Sequence, residues 1–244
     1  NTGGLTWAVD AGGATDIDGL SDAKSGGTNF SGSLIIGHQT TGTLSAANNN
    51  TALGIAAMNA ITTGDQNVAV GTEALGALTT GSNNVGLGYA SLEANTTGAS
   101  NVAVGYRALD ANTTADANTG VGEAALGANT TGASNVAIVY NALDANTTAS
   151  DNTAVGRAAL GANTTGADNT AVGKSALTTN ITGHSNAALG KDALYANITG
   201  YGIVASGYQA LYSNTTGALN TAVGFESLYA NTTANYNTAT GWSA

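Results

Sequence analysis

From Asn50 to Ala244 the chain repeats one phrase with a period of 17 residues. Asn152-Thr-Ala-Val-Gly-Arg-Ala-Ala-Leu-Gly-Ala-Asn-Thr-Thr-Gly-Ala-Asp168 is followed directly by Asn169-Thr-Ala-Val-Gly-Lys-Ser-Ala-Leu177. Steps of 17 from Asn50 land on Asn67, Asn84, Asn101, Asn118, Asn135, Asn152, Asn169, Asn186, Ile203, Asn220 and Asn237, with no insertion or deletion. That makes eleven complete repeats and a truncated twelfth. A register this strict requires each repeat to sit on its neighbour in the same way, so the chain is one quasi-linear object whose length follows its rung count.

Each rung is numbered here from 0 at its Asn. Position 2 is Ala or Gly throughout, position 3 is Val, Leu or Ile except at Ser206 and Thr240, position 4 is Gly except at Val139, and position 8 is Leu except at Met58. These four are read as the buried columns. In an extended segment positions 1 and 3 face one way and positions 0, 2 and 4 the other, so one strand face is held by a large aliphatic and the other by a small residue. A helical reading fails on length: the Ala-Leu segments run about five residues before Asn-Thr-Thr-Gly, far below the roughly 12–15 that an isolated helix needs. Positions 11 to 14, Asn-Thr-Thr-Gly, supply a corner through side-chain hydrogen bonding and a flexible Gly. Ala115, Ala149 and Ala234 replace that Gly, so the corner does not require a positive φ.

The expected fold is therefore all-β: a β-solenoid or β-roll of 17-residue rungs. At roughly 4.8 Å per rung, twelve rungs make a rod roughly 55–60 Å long, with identical residues stacked in ladders. Stacking also explains why only 8% of residues are charged although the net charge is −10. A charge at a fixed position would meet its own copies about 5 Å above and below, and like charges at that distance destabilise. The charges present, such as Glu73, Arg107, Glu123, Arg157, Lys174, Lys191, Asp192 and Glu226, are scattered over positions 5 and 6 with mixed sign.

Residues 1–32 carry no repeat and read as an acidic, Gly-rich lead-in or cap, with Trp7, Phe30, Asp10, Asp16, Asp18 and Asp22. The spacing Asp16-x-Asp18-Gly19 has the alternation of a calcium loop, but no closing Glu follows, so a solvated acidic loop is the reading. Residues 33–49 form a degenerate first rung, because Ser33-Leu-Ile-Ile-Gly37 matches the opening of the repeat in register. The start at Asn1 instead of Met reads as a piece of something longer.

An unconstrained outward face would tolerate Lys, Glu or Thr, yet positions 2 and 4 hold almost only Ala and Gly. Another backbone is expected to approach there, either the far wall of a thin roll or a partner chain. The partner reading is preferred, as a parallel homotrimeric fibre with these faces near its axis. The last rung, ending Thr240-Gly-Trp-Ser-Ala244, shows no polar cap, which also admits an end-to-end filament.

The phrase Asn-Thr-Ala-Val-Gly-x-x-Ala-Leu-x-x-Asn-Thr-Thr-Gly, complete from Asn152 to Gly166 and less full from Asn220 to Leu228, resembles repeats of phage tail-fibre and other virion appendage proteins. Ser21 to His38 and Gly42-Thr-Leu-Ser-Ala resemble the sequence that often precedes them. Val68 to Gly71 and Val102 to Gly105, both Val-Ala-Val-Gly, are similar to the head repeats of trimeric autotransporter adhesins, whose own repeat is shorter. The likeness covers almost the whole chain. It implies an extracellular or virion-surface fibre, usually trimeric, that acts as a non-catalytic spacer or adhesion rod.

Catalytic constellations are not expected. His38 and His184 lie many rungs apart, there is no Cys, and neither a Gly-x-Ser-x-Gly elbow nor a phosphate loop occurs. Asp110 and Asp144 share position 9 two rungs apart, about 10 Å by strand spacing, and are read as solvated surface charge and not as a glycosidase pair. No cofactor or metal is called for. The acidic balance argues against nucleic acid, and no apolar run is long enough to span a bilayer.

Two aromatic series stand out as surface recognition candidates: Tyr195, Tyr212 and Tyr229 at position 9, and Tyr208, Phe225 and Trp242 at position 5. They either bind a cell-surface glycan, receptor or neighbouring subunit, or stiffen the rod through cross-rung pairs. The Asn-Thr-Thr and Asn-Ile-Thr triplets from Asn95 to Asn231 are formal glycosylation sequons that a turn would use without sugar. The same Thr columns raise an ice-binding face, with a single column expected to point outward.

Overall fold

A computed structural model describes residues 23–25, 34–36 and 47–244. It is a parallel β-solenoid with one rung per 17 residues, and among the described residues there is no helix. β1 (Ala23–Ser25) pairs antiparallel with β2 (Leu34–Ile36). From β2 through β3 (Thr51–Leu53) to β14 (Thr238–Thr240), every strand pairs parallel with the next in a single sheet ordered as the sequence is. Leu34 faces Thr51, the same 17-residue offset that joins all later rungs. The acidic cluster Asp10, Asp16, Asp18 and Asp22, with Trp7, Phe30 and His38, lies outside the described residues.

Each strand occupies only positions 1 to 3, and the rest of the rung is a sequence of turns. Position 4 leaves the strand with φ between 130° and 146° in every Gly that occupies it. Positions 6, 8 and 16 then take left-handed backbone with φ between 48° and 61°, although they are mostly Ala, Leu, Ser, Asn or charged residues. Such conformations cost about 1–2 kcal/mol per non-glycine residue. What offsets the cost is that these residues carry the inter-rung bonds outside the strand. Leu75 N–H donates to Ser91 O, Glu73 N–H to Ile55 O and Asn83 N–H to Asp65 O, a pattern recurring along the array. Position 12 adds another, as in Thr79 N–H to Thr96 O, so rung-to-rung bonding runs around the whole perimeter. The position-14 Gly residues keep ordinary φ, as their replacement by Ala implies.

The core is a narrow column of Ala at positions 2 and 7 and Leu at position 8, essentially inaccessible up to Ala222 and opening at Leu228 and Ala239 near the end of the array. This corrects the sequence reading of position 3. Its side chains face outward with position 1, Leu53 being 51% and Leu189 44% exposed. Position 2 points inward, and its smallness is explained within one chain. A Cβ on Gly120 would lie 3.3 Å from Leu109 Cγ and 3.1 Å from Ala125 O, so one Leu already fills the gap between the two walls. Position 4 is tight for the same reason, since a Cβ on Gly71 would meet the Gly88 backbone. The second backbone that the small columns require is the chain's own next rung and opposite wall, which removes them as grounds for a trimer.

Two buried Asn ladders run along the rod. At position 0 the Asn backbone N–H donates to the side-chain oxygen of the Asn one rung earlier wherever an Asn stands there, as Asn84 does to Asn67 Oδ1 at 2.9 Å. The amide of Asn84 also donates to Gly98 O at 2.9 Å. At position 11, Asn129 donates to Asn112 Oδ1 and to Gly132 O, closing the corner. Ile61 and Leu78 replace that Asn in the first two rungs and are fully buried. Unpaired buried amides are costly, and wherever Asn follows Asn in these columns the earlier rung supplies the partner the next one needs.

Val139, Ile203 and Ser206, which depart from the repeat at positions 4, 0 and 3, perturb the rod little. Val139 sits at φ 88° with an exposed side chain. Ile203 receives its place in the ladder through its N–H to Asn186 Oδ1 but has no amide to pass on. Ser206 keeps the strand register, opposite Leu189 and Val223.

Candidate functional site

The rung geometry turns sequence periodicity into longitudinal ladders on the surface. Tyr195, Tyr212 and Tyr229 stack with ring centroids 5.1 and 5.2 Å apart and planes within 9°. Tyr208 stacks on Phe225 at 5.0 Å, Phe225 on Trp242 at 6.4 Å, and Lys191 places its Nζ 5.0 Å from the Tyr208 ring centre. Two ladders were not singled out from sequence: Tyr89 on Tyr106, and His184 on Tyr201. All six predicted aromatic residues are thus brought together in two rows of three.

Stacking decides what those rows offer. The faces of Tyr212 are covered by Tyr195 and Tyr229, leaving ring edges for solvent, whereas stacking on a sugar requires a free face. Burial raises the Tyr212 hydroxyl above its ordinary value, with the neighbouring tyrosines adding to it. Tyr89 is raised too, chiefly by its hydrogen bond to the Glu73 carboxylate.

A shallow groove of about 530 Å³ crosses the rungs at positions 6, 9 and 10, with Ala77, Ala94 and Ala111 among its small residues and Glu73, Glu93, Arg107 and Asp110 among its charged ones. Arg107 Nε donates to Asp110 Oδ2 at 2.6 Å, which holds the guanidinium above its usual value. Asp110 and Asp144 lean together over Gly127: a Cβ there would lie 3.6 Å from Asp110 Oδ1 and 3.1 Å from Asp144 Oδ1. The carboxylates come closer than rung spacing alone implies, because Gly127 leaves the intervening place empty. Burial raises the Asp144 carboxyl, and the Asp110 charge raises it further. Among the described residues no three His, Cys, Asp or Glu side chains form a group able to hold a metal ion.

Compared with known proteins, the chain matches no family model, no curated protein and no solved structure. Its surface must therefore be read on its own chemistry.

The sequon asparagines from Asn95 to Asn214 are fully buried in the position-11 ladder, so a glycosyltransferase has no access to them in the folded rod. His184 is exposed, half of a stacked pair, and its Nδ1 lies 3.2 Å from the hydroxyl of its chain neighbour Ser185. No helix among the described residues is long and apolar enough to cross a membrane.

Sequence reasoning missed the strand face. Positions 1 and 3 present two parallel rows of Val, Thr, Leu and Ile along the rod, including Val70, Val172, Leu189, Val204 and Val223, each more than a third exposed. The signal was present as alternation, but the wrong half of the alternation was assigned to the interior.

Proposed function

We propose that this chain is the shaft segment of an extracellular or virion fibre, a non-catalytic rod that assembles as a parallel homotrimer through its strand face. The observation that carries the reading is the outward double row at positions 1 and 3, where Val, Leu and Ile at position 3 run beside mostly Val and Thr at position 1 and give way at Ser206 and Thr240. Exposed aliphatic side chains aligned in rows, as Val172, Leu189, Val204 and Val223 are, make an interaction surface. A second copy in the same direction offers a row with the same 17-residue rung repeat, so each rung meets an equivalent rung. The likeness of Val-Ala-Val-Gly to trimeric adhesin heads supports three copies in place of two.

The aromatic ladders fit the same role. Rings that cover one another's faces stiffen a rod, in keeping with a spacer that holds something away from a particle or cell. Determining the mass in solution tests the assembly: a trimer supports the reading, and a monodisperse monomer at micromolar concentration removes it.

A further inference from the structure

Of the seventeen columns, one is filled by the same residue in all eleven complete rungs: position 13, which is Thr from Thr63 through Thr148 to Thr233. Every other column varies at least once, and positions 5, 6, 9, 15 and 16 change almost freely, so the repeats have had room to diverge. Burial explains the near-constancy of positions 0, 2, 7, 8 and 11. Position 12 is explained by its hydroxyl, which donates to the carbonyl of the next rung, as Thr113 Oγ1 does to Thr130 O at 3.1 Å. Position 13 has no such explanation. Its side chains are exposed in every complete rung, and among the described residues none of their hydroxyls bonds to the protein.

We propose that the position-13 threonine column is an ice-binding rank. If only a β-branched shape were needed, Val would serve; if only a hydroxyl were needed, Ser would serve; neither occurs in any rung. The requirement is for hydroxyl and methyl together. A hydroxyl both donates and accepts, as water does, and the adjoining methyl orders water it cannot bond. Bonds such as Thr130 N–H to Thr147 O lock the rungs, so the hydroxyls repeat at the strand spacing of roughly 4.8 Å along the array. A ligand that uses every step of such a rank is itself periodic. The column itself carries no charge and no aromatic ring, and most rings elsewhere on the rod are stacked on one another. This favours a water lattice over a periodic polysaccharide, which would be gripped by ring faces. The proposal does not depend on the fibre reading, because the column uses no residue of positions 1 and 3.

The purified chain should depress ice growth below the melting point and shape ice crystals. Lysine at both Thr131 and Thr148 should abolish this with an unchanged thermal melt, while Ser134→Lys, exposed at position 16, should leave it intact. Should the lysine pair unfold, leucine in the same two places breaks the rank without adding charge and should give the same loss. Absence of ice activity in the unaltered chain, or its persistence in the folded double variants, would overturn the proposal. Binding to insoluble polysaccharide without ice activity would overturn it in favour of a glycan.

Discussion

Asn152 donates its backbone N–H to the side-chain oxygen of Asn135, one rung earlier, at 3.0 Å, and both residues are fully buried. The side-chain amide of Asn135 in turn donates to Ala149 O at 2.9 Å. Asn135→Ala would leave the Asn152 N–H buried without an acceptor, at a cost of about 1–3 kcal/mol. A lower denaturation midpoint in urea should report it, with the m-value unchanged.

Val139 holds a position that Gly fills in every other rung, and it does so at φ 88° where those glycines lie between 130° and 146°. Backbone strain of this kind costs about 1–3 kcal/mol, more than the roughly 0.5–1 kcal/mol entropic penalty of glycine. Val139→Gly should therefore raise the melting temperature. A lower melting temperature would show that Val139 relieves its strain through packing.

Tyr212 is stacked on both faces, so Tyr212→Ala removes two ring pairs worth about 0.5–1.5 kcal/mol each. A clear loss of stability is expected, and Tyr212→Phe should restore most of it. If the alanine variant melts as the unaltered chain does, the ladder is not a stiffening device.

Asp144 provides a pH test. Its raised carboxyl means that the folded chain holds this proton more tightly than the unfolded chain does. The stability so contributed is present at low pH and is lost as pH rises through the folded value. Asp144→Asn should remove that decline, melting higher than the parent at neutral pH and like it in acid. The gain should stay below about 1 kcal/mol, because solvent screens the pair.

How much of this was legible in the sequence depends on what sets each feature. Asn84 and its copies at 17-residue steps announce stacked rungs and the β-solenoid, because only translation along an axis uses such a register. The Tyr195, Tyr212 and Tyr229 ladder follows from the same arithmetic. The direction of a strand was not legible: Val155 looks like core and Ala154 like a packing concession, yet the reverse holds. In a rung this thin, Leu160 from the facing wall takes the interior volume, so the strand contributes only a methyl. Hydrophobicity alone cannot rank two walls that compete for one gap. Nor could composition show that Leu and Ala would adopt left-handed backbone, a cost accepted because their N–H groups join the rungs.

The solution mass of the chain, measured by light scattering with and without Val172→Lys, bears most directly on the fibre assembly. Val172 faces outward from its strand and is 38% exposed, so a lysine there leaves a single rod folded. The expected result is three times 23.6 kDa for the unaltered chain, falling toward one chain in the variant while the thermal melt of the rod persists. A unaltered chain that is already monomeric, or a trimer indifferent to Val172→Lys, would contradict assembly through the strand face.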